Sequence, residues 1–319
     1  MTIEVREWDG NKITEPGLVM NVPMEFYHSD CCDGPSISSS GLRKIEQESL
    51  LHYWDESYLN PDRAPQEEST HFSLGRAAHH LIAGQEGFEK EFSIRPVQFD
   101  SWRTKDAKAW RAKEWAEGRT VITPDDIAVI QGLARSLERH PTVKAGILSG
   151  LVECSGFVKD PVTGVWLKIR ADFMPIDSTV AVDLKTCASA DAMSCRRAIT
   201  DLGYFQQFGL IHDVWALLTG IELTDHVPLF VEKKRPFAVN IKPIGWGSIT
   251  YGRLLNRRAI NKFAVALQTG DWEGYEDDLV TAEILPFAAK RYEDDIENGR
   301  MPGLLDPPEY PHDDVPEAV

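Results

Sequence analysis

Residues 166–186 read WLKIRADFMPIDSTVAVDLKT, and this stretch decides the predicted fold. Apolar and charged residues alternate in both of its halves. Because the side chains of a strand switch faces with period two, the alternation predicts two β-strands, near residues 165–174 and 179–186. A turn at Met174–Thr179 would make the two strands antiparallel neighbours.

The charged positions of these strands include Asp172, Asp183 and Lys185. In an antiparallel pair these side chains would meet on one sheet face, where two carboxylates and an ammonium suit a divalent cation beside a phosphate. Lys168 and Arg170 alternate onto the same predicted face as Asp172, and they would hold the flanking phosphates. The alternative is a solvated sheet face that carries weak surface ion pairs.

The flanking sequence predicts a layered α/β protein. The segment DPVTG at 160–164 has the composition of a hairpin turn. Groups of strands between groups of helices predict an α/β sandwich with a central mixed β-sheet and helices on both sides. The other predicted elements are helices that begin near Leu42 or span residues 72–84, 124–140, 188–200, 203–219 and 246–269, and strands at 151–159, 227–233 and 237–243.

The composition is that of a globular protein with an unevenly placed negative charge. Of 319 residues 42% are hydrophobic, and 34 basic residues against 50 acidic ones give a net charge of −16. This balance argues against nonspecific affinity for nucleic acid. We predict a single domain over residues 1–300, with a helical part at 37–140 and a core part at 150–270. Residues 301–319, with five acids, five prolines and no base, are predicted to form a tail.

Several classes of protein are not indicated by the sequence. No apolar run approaches the roughly 18 residues that span a membrane, and the start MTIEVREWDGNK lacks the features of a signal peptide, so a cytoplasmic protein is expected. Five cysteines without CxxC spacing predict neither disulfides nor a structural zinc site. A GxxxxGK[ST] phosphate loop is missing from the sequence, and ATP is therefore not an expected ligand.

Further candidate site residues lie on the neighbouring elements. His79 follows Gly75 by one helical turn, and a neutral imidazole there could ligate a metal or bind a phosphate. Adjacent histidines differ by about 100° around a helix, so one of His79 and His80 would face a given site, and the sequence leaves open which one. Glu153 opens the strand before the hairpin and could be a further metal ligand. Gln207 could orient the lysine or touch DNA. Each of these side chains could equally be an ordinary surface or core polar group.

A basic, tryptophan-rich stretch covers residues 101–119. Arg103 and Lys105 head a series of cations among three tryptophans, which could grip a phosphate backbone or stack on bases. A charged helix that packs its tryptophans against the core explains the pattern equally well.

The order of these motifs resembles the PD-(D/E)xK nuclease superfamily, and within it the phage-type exonuclease VIII (RecE) group, relatives of lambda exonuclease. The likeness runs from about residue 36 to Gln207, and more loosely to residue 270. DxK alone is a weak motif, whereas the ordered set is more specific. The motifs are GRAAHH (75–80), ECSGFVKDPVTGVWLKIRADF (153–173), AVDLKT (181–186) and YFQQ (204–207).

The resemblance implies a restriction-endonuclease-like core and roles for individual residues. It gives Asp172 and Asp183, with the Leu184 carbonyl, to a Mg²⁺ ion (Mn²⁺ is the alternative), and His79 and Glu153 to auxiliary metal positions. It makes Lys185 the catalytic lysine and Gln207 its partner. Tyr204, in the YFQQ motif, is placed among the DNA-binding residues. Two family features are absent: Ile211 stands where some relatives have a tyrosine, and the cysteine spacing does not match an iron–sulfur set, so no cluster is expected.

The function that the resemblance implies is a Mg²⁺-dependent 5′–3′ exonuclease on the ends of linear double-stranded DNA. A homo-oligomeric ring around DNA and a strand-annealing recombinase as partner are implied in the same way, in a phage or its bacterial host. A noncatalytic DNA-binding or assembly protein, an endonuclease and a single-strand nuclease are the alternatives.

Overall fold

The computed structural model describes residues 4–64, 70–82, 84, 87–275 and 281–302, without the side chains of residues 70–73. The chain divides into two compact units, Met1–Tyr275 and Glu276–Val319. The single domain assigned to residues 1–300 stays a prediction. Most of the predicted acidic tail, from residue 303 onward, lies outside the described residues.

The first unit is a mixed α/β structure, as predicted. Its strands are β1 Val5–Glu7, β2 Gly17–Met20, β3 Ser36–Ser38, β4 Phe92–Ile94, β5 Thr120–Ile122, β6 Leu151–Val152, β7 Ser155–Lys159, β8 Trp166–Arg170, β9 Phe173–Met174, β10 Val180–Cys187, β11 Asp225–Glu232 and β12 Val239–Ile241. Its helices are α1 Met24–Tyr27, α2 Ser39–Gln47, α3 Leu50–Glu56, α4 Thr70–Ile82, α5 Phe88–Glu91, α6 Lys105–Ala116, α7 Pro124–Arg139, α8 Pro141–Lys144, α9 Ala192–Asp201, α10 Tyr204–Thr219 and α11 Trp246–Thr269. The second unit contains α12, Pro286–Glu297.

Two five-stranded sheets replace the one predicted central sheet. The first sheet has the order β1-β2-β7-β8-β3, and the second has the order β12-β11-β10-β9-β6. Both are mixed: β10 is parallel to β11 and antiparallel to β9. Strands β4 and β5 form a separate parallel pair.

The predicted hairpin of residues 151–159 and 165–174 bends, and it contributes strands to both sheets. The prediction that each of these two segments forms one unbroken strand was wrong. β7 and β8 belong to the first sheet, and β6 and β9 belong to the second. The register is the same on both sides of the bend, because Val152 pairs with Phe173 and Ser155 pairs with Arg170. Glu153 therefore lies opposite Asp172 at the bend, and its N–H donates to the Asp172 carbonyl at 3.1 Å.

The backbone of Glu153 explains the bend. Its φ angle is +51°, in the left-handed region that residues other than glycine rarely adopt. A non-glycine residue held there stores strain, and such residues concentrate at functional sites. Asp172 follows the end of β8, and its side chain rather than a neighbouring backbone carbonyl accepts the N–H of Leu184, at 2.5 Å.

Helices pack against both sheets, and the described residues form four buried apolar clusters, three of which are large. The largest cluster lies between the sheets and helices α2, α10 and α11, with Phe208, Trp215 and Phe263 fully buried. A second cluster packs α4 and α7 against the opposite face of β10 and β11. In the third, the segment at 13–32 covers Phe157 and Trp166 of the first sheet.

Several local predictions are confirmed. The helices predicted to begin near Leu42 and at residue 124 are α2 and α7, and Thr123 forms a capping box with Asp126 at the start of α7. The turn at 160–164 closes through a 2.8 Å hydrogen bond from the Gly164 N–H to the Asp160 carbonyl. Within the described part of the chain, none of the helices combines the length and the apolarity that crossing a membrane requires.

Candidate metal centre

Helix α4 brings one of its two adjacent histidines to the bent hairpin. Nδ1 of His79 lies 3.2 Å from Oδ2 of Asp172. His80 points away and is buried between Phe88 and Phe92, with ring centroids at 5.6 and 5.5 Å. The structure thus selects His79, a choice that the sequence left open.

His79, Glu153 and Asp172 form a cluster of metal-ligand type. One ligand atom from each residue lies within 4.8 Å of the other two. Two carboxylates and an imidazole are donors that divalent cations accept in proteins. Because Val182 pairs with Phe173, the same register sets Asp183 opposite Asp172. Glu153, Asp172 and Asp183 therefore occupy one row, the first two at the bend of the hairpin and the third on the neighbouring strand β10.

Asp183 turns its carboxylate away from the cluster, toward Lys185 and Gln207. Its Oδ1 accepts a hydrogen bond from Nε2 of Gln207 at 3.0 Å, and its Oδ2 forms an ion pair with Nζ of Lys185. The same ammonium donates to Oε1 of Gln207 at 3.1 Å. Gln207 thus links the carboxylate of Asp183 to the ammonium of Lys185. Its role in orienting the lysine stays a prediction. The assignment of Asp183 as a metal ligand stays a prediction.

Tyr204 lies beneath the lysine rather than on an open surface. The Lys185 ammonium is 4.3 Å from the centroid of the Tyr204 ring, which is a cation–π distance. A second aromatic ring, that of Phe230, packs against Tyr204 at 6.2 Å. The contacts of Tyr204 fit a role in positioning Lys185, whereas its predicted contact with DNA stays a prediction.

Burial and close charges perturb the protonation of the cluster. Burial alone lowers the pKa of His79, but the neighbouring carboxylates, Asp172 first, outweigh it and raise that pKa to about 9. Burial, together with the charge of Asp172, raises the pKa of Glu153 to about 7. For Asp172 burial acts to raise the pKa, yet the charge of His79 brings it below the ordinary value. Such opposed shifts in one cleft are typical of functional sites.

The charge balance of the centre fits a divalent cation. Three carboxylates, those of Glu153, Asp172 and Asp183, face the single ammonium of Lys185. A divalent cation that binds here would displace the proton of His79 and ionise Glu153; with His79 then neutral, two negative charges remain, which is the charge of one divalent ion. Asp183 is 2% exposed, and burial together with Asp172 raises its pKa. Buried charges without compensation are costly, so this donor set suits a metal.

The centre lines a cavity of about 550 Å³ whose wall is rich in cations. The fold brings to it several side chains that the sequence analysis did not single out. Arg76 stands beside Gly75 in the GRAAHH motif, which was a usable signal, whereas no local pattern marks the others. They are His28, Ser38, Ser39, Ser40, Arg43, Arg76 and Lys233.

Lys168 and Arg170 also line this cavity, on a sheet face that is covered by another segment, and the alternative of a solvated sheet face does not describe them. Lys168 is 3% exposed, and its Nζ donates to the Tyr27 carbonyl at 2.6 Å. Arg170 donates to the Val22 carbonyl at 2.6 Å and to Ser155 Oγ at 2.9 Å. The segment at 22–31 packs over this sheet face, which is the physical reason for the difference. Both cations hold that segment, and their contact with phosphates stays a prediction.

Arg103 and Lys105 lie outside the cavity wall. Arg103 precedes α6 and Lys105 is its first residue, and both side chains are exposed.

Comparison with known proteins places the fold in a class. The strand carrying Asp183-Leu184-Lys185, with Asp172 eleven residues earlier, has the arrangement that gives PD-(D/E)xK proteins their name. The chain belongs to the family described as "PDDEXK-like domain of unknown function (DUF3799)", whose model matches residues 38–274. The predicted superfamily and its restriction-endonuclease-like core are therefore confirmed, and family and fold together support a nuclease.

A solved structure of low sequence identity shares the fold. The crystal structure of a "Putative exonuclease" from Eubacterium rectale has a TM-score of 0.56 and 14% identity, over 85% of this chain and 98% of that one. The structure of SSO0001 has a TM-score of 0.28 and 13% identity, over 62% of this chain and 88% of that one, and carries no argument. No match was found among curated proteins.

Proposed function

We propose that this protein is a metal-dependent deoxyribonuclease that hydrolyses phosphodiester bonds at the ends of linear double-stranded DNA. The observation that carries the proposal is the convergence of His79, Glu153 and Asp172 within 4.8 Å beside the Asp183–Lys185–Gln207 group. The cationic wall around this centre supports a polyanionic substrate.

Mg²⁺, with Mn²⁺ as the alternative, fits the donors present. Asp172, Glu153 and His79 would hold it, and a modest turn of the Asp183 side chain would add a fourth ligand. The N–H of Leu184 faces Asp172. Because the N–H and the C=O of an extended residue point to the same edge of its strand, the Leu184 carbonyl would face the metal position as well. A divalent cation at this position supplies positive charge to the scissile phosphate and lowers the pKa of water.

Lys185 supplies the second positive charge of the site. Burial lowers its pKa, but Asp183 and the other acidic neighbours outweigh this and raise it above the ordinary value, so the side chain is an ammonium at neutral pH. A fixed ammonium stabilises the charge that develops on the phosphoryl oxygens and orients the attacking water. Gln207 and Tyr204 hold it in place.

Substrate topology separates this proposal from its rivals. Linear, nicked-circular and closed-circular DNA are incubated with Mg²⁺ and either the wild type or Asp183→Ala. We expect the wild type to digest linear DNA and leave closed circles intact, and the variant to digest neither. Absence of digestion by the wild type would favour a noncatalytic DNA-binding protein. Cleavage of closed circles would replace the exonuclease with an endonuclease.

The direction of digestion and the assembly rest on the family resemblance alone. We propose 5′–3′ digestion, a homo-oligomeric ring, and a strand-annealing recombinase as partner in phage-type recombination. Duplexes labelled at the 5′ or at the 3′ end test the first: early release of the 5′ label supports it, and early release of the 3′ label overturns it. Sedimentation of the purified protein tests the ring, which a monomer would contradict.

A further inference from the structure

Helix α6 is attached to the nuclease unit by a small part of its surface. Of its twelve residues only Ala107 and Glu114 are buried. The rings of Trp102 and Trp110 stack on each other, with their centroids 6.3 Å apart and an interplanar angle of 9°. Trp115 is 44% exposed. None of these three tryptophans belongs to the apolar clusters described above. The expected alternative, a charged helix whose tryptophans pack on the core, therefore does not describe this element.

The exposed side of α6 is mostly basic, although the acid Asp106 is exposed there as well. We define the α6 surface as Arg103, Lys105, Lys108, Arg111 and Trp115. Lys105, Lys108 and Trp115 recur at helical spacing on the outward side, opposite to Ala107 and Glu114. Residues 92–122 hold seven basic and four acidic residues, in a chain of net charge −16. This surface is thus a local positive patch on an acidic protein.

The charges of the α6 surface have no carboxylate partners of their own. Within the described ranges, no ion pair involves Arg103, Lys105 or Lys108. The two acids at the end of the helix are both occupied by Arg119. In contrast, the arginines of α11 are each neutralised within the protein: Arg253 by Asp213, Arg257 by Asp160 and Arg258 by Glu46.

Arg111 is fixed by aromatic rings. Its guanidinium lies 5.1 Å from the Trp102 ring and 4.0 Å from the Trp115 ring. A guanidinium stacked in this way loses little further entropy when it binds an anion, and its planar donors match phosphate oxygens.

The α6 surface is tied to the helix that carries His79. Glu114 accepts from Arg119 Nε at 2.7 Å, and Arg119 leads directly into β5. Thr120 of β5 accepts from Nη1 of Arg76 at 3.0 Å, and Arg76 lines the cavity of the metal centre. One side chain thus links the strand next to α6 with the wall of that cavity.

We propose that the α6 surface binds the phosphate backbone of the double-stranded DNA that enters the metal centre. The proposal rests on the nuclease function above and assigns part of its substrate path. Positive charge without internal ion pairs, on a helix that β5 links to the wall of the metal-centre cavity, complements a polyanion. The contact is independent of base sequence, since it uses backbone charge alone.

The test compares two double variants with the same change of net charge. Lys105→Glu/Lys108→Glu alters the α6 surface, and Lys144→Glu/Lys262→Glu alters exposed lysines elsewhere. Affinity for a fluorescein-labelled DNA duplex is measured by anisotropy in EDTA over a series of salt concentrations. Hydrolysis of thymidine 5′-(p-nitrophenyl phosphate) in Mg²⁺ reports the metal centre without a DNA backbone.

We expect the α6 variant to lose about tenfold or more in duplex affinity and to lower the slope of log K against log salt by about 2. The control variant should keep a slope close to that of the wild type, and all three proteins should hydrolyse the small diester equally. Equal affinity and slope for the two variants would overturn the proposal, as would stronger binding of polyglutamate than of duplex by this surface. A wild type that hydrolyses neither the small diester nor linear duplex DNA in Mg²⁺ would instead refute the nuclease function.

Discussion

Lys185 is held by one carboxylate, one amide and one aromatic ring. Asp183 and Gln207 contact its ammonium from the strand and the helix, and the Tyr204 ring lies 4.3 Å away. A cation–π contact in a desolvated site contributes on the order of 1–2 kcal/mol. The ring therefore matters to how well the ammonium keeps its position.

Replacement of Tyr204 tests this contact. Tyr204→Phe keeps the ring, and we expect kcat within about twofold of the wild type. Tyr204→Leu removes it, and kcat should fall about tenfold, the equivalent of 1.4 kcal/mol, with KM for DNA little changed. Steady-state kinetics on linear duplex DNA measure both. If Tyr204 contacts DNA instead, the leucine variant will raise KM and leave kcat unchanged.

Glu153 combines strain with function at the residue where the hairpin bends. Its left-handed φ costs on the order of 1 kcal/mol for a non-glycine residue, and its carboxylate is held close to that of Asp172. A stability-driven sequence would place glycine there. The carboxylate is the reason that we give for its presence.

Two substitutions at Glu153 separate these effects. Glu153→Gly should raise the free energy of unfolding by about 1 kcal/mol, because glycine adopts the left-handed conformation without strain. Glu153→Gln retains the strained backbone and should gain less. Both should weaken Mn²⁺ binding by about tenfold or more, measured by titration calorimetry. Unchanged Mn²⁺ affinity in both variants would remove Glu153 from the metal centre.

At the scale of elements, α10 and α11 cross with their backbones in close contact at glycine. A Cβ on Gly252 would lie 2.3 Å from the Phe205 carbonyl oxygen, so the helices would have to separate. Gly75 on α4 differs: the nearest atom to an added Cβ is Thr186 Oγ1, at an ordinary 3.7 Å. The close contact between two helices thus requires glycine at position 252, whereas position 75 has room for a Cβ.

The pair makes a matched test of packing. Gly252→Ala should lower the free energy of unfolding by about 2 kcal/mol or more, since overpacking at a backbone contact forces the helices apart. Gly75→Ala should raise it by about 0.5–1 kcal/mol through helix propensity. Urea denaturation measures both changes. Equal effects in the two variants would show that the close crossing of α10 and α11 does not limit stability.

Sequence patterns predicted most elements around the site but not the bend that builds it. The period-two pattern predicted β7–β10, and its apolar positions Leu167, Ile169 and Val182 are all buried in the structure. The same alternation continues through Ala171 and Phe173, although these two residues pack in different clusters. No local signal marked the change of sheet, since glutamate rarely takes a left-handed backbone. We attribute the change of sheet to contacts between residues distant in sequence, such as that of His79 on α4 with Asp172 at the bend.

Other elements escaped prediction because their composition lacks an apolar period. Helix α6 has few buried positions, and α3 and α5 are too short for a periodic pattern to emerge. The metal-site residues were predictable as a set through the order of motifs. The side chains that line the cavity from the segment at 27–43 were not, because tertiary contacts alone bring them there.

At the scale of the whole molecule, negative charge is segregated along the chain. Residues 276–319 hold thirteen acidic and three basic residues, so most of the net charge of −16 lies outside the first unit. Net charge over the full chain therefore describes the nuclease unit poorly. The net charge of −16 is therefore weak evidence against affinity of the first unit for nucleic acid.

Buried histidines make stability depend on pH. His226 is 1% exposed, and burial, followed by the charges of His212 and Arg253, lowers its pKa to about 4. The unfolded state, with an ordinary pKa near 6.5, binds the proton first, so stability falls as pH falls from about 6.5 to about 4. The loss between pH 7 and pH 5 should be about 1–2 kcal/mol from this residue.

His226→Gln provides the comparison, because glutamine does not titrate. Urea denaturation of both proteins at several pH values gives the difference in free energy of unfolding at each pH. This difference should narrow toward acid pH, as the wild type loses the stability linked to His226. A difference that is constant from pH 7 to pH 5 would show that His226 is not held neutral in the folded protein.

We propose that Asp172 and its neighbours form a metal-dependent nuclease centre. The most direct test of this proposal is the release of acid-soluble nucleotides from linear duplex DNA by the wild type and by the isosteric variant Asp172→Asn, each in Mg²⁺ and in EDTA. We expect release by the wild type in Mg²⁺ alone, and a rate about a hundredfold or more lower for the variant. Equal release by the two proteins, or release by the wild type in EDTA, would contradict it.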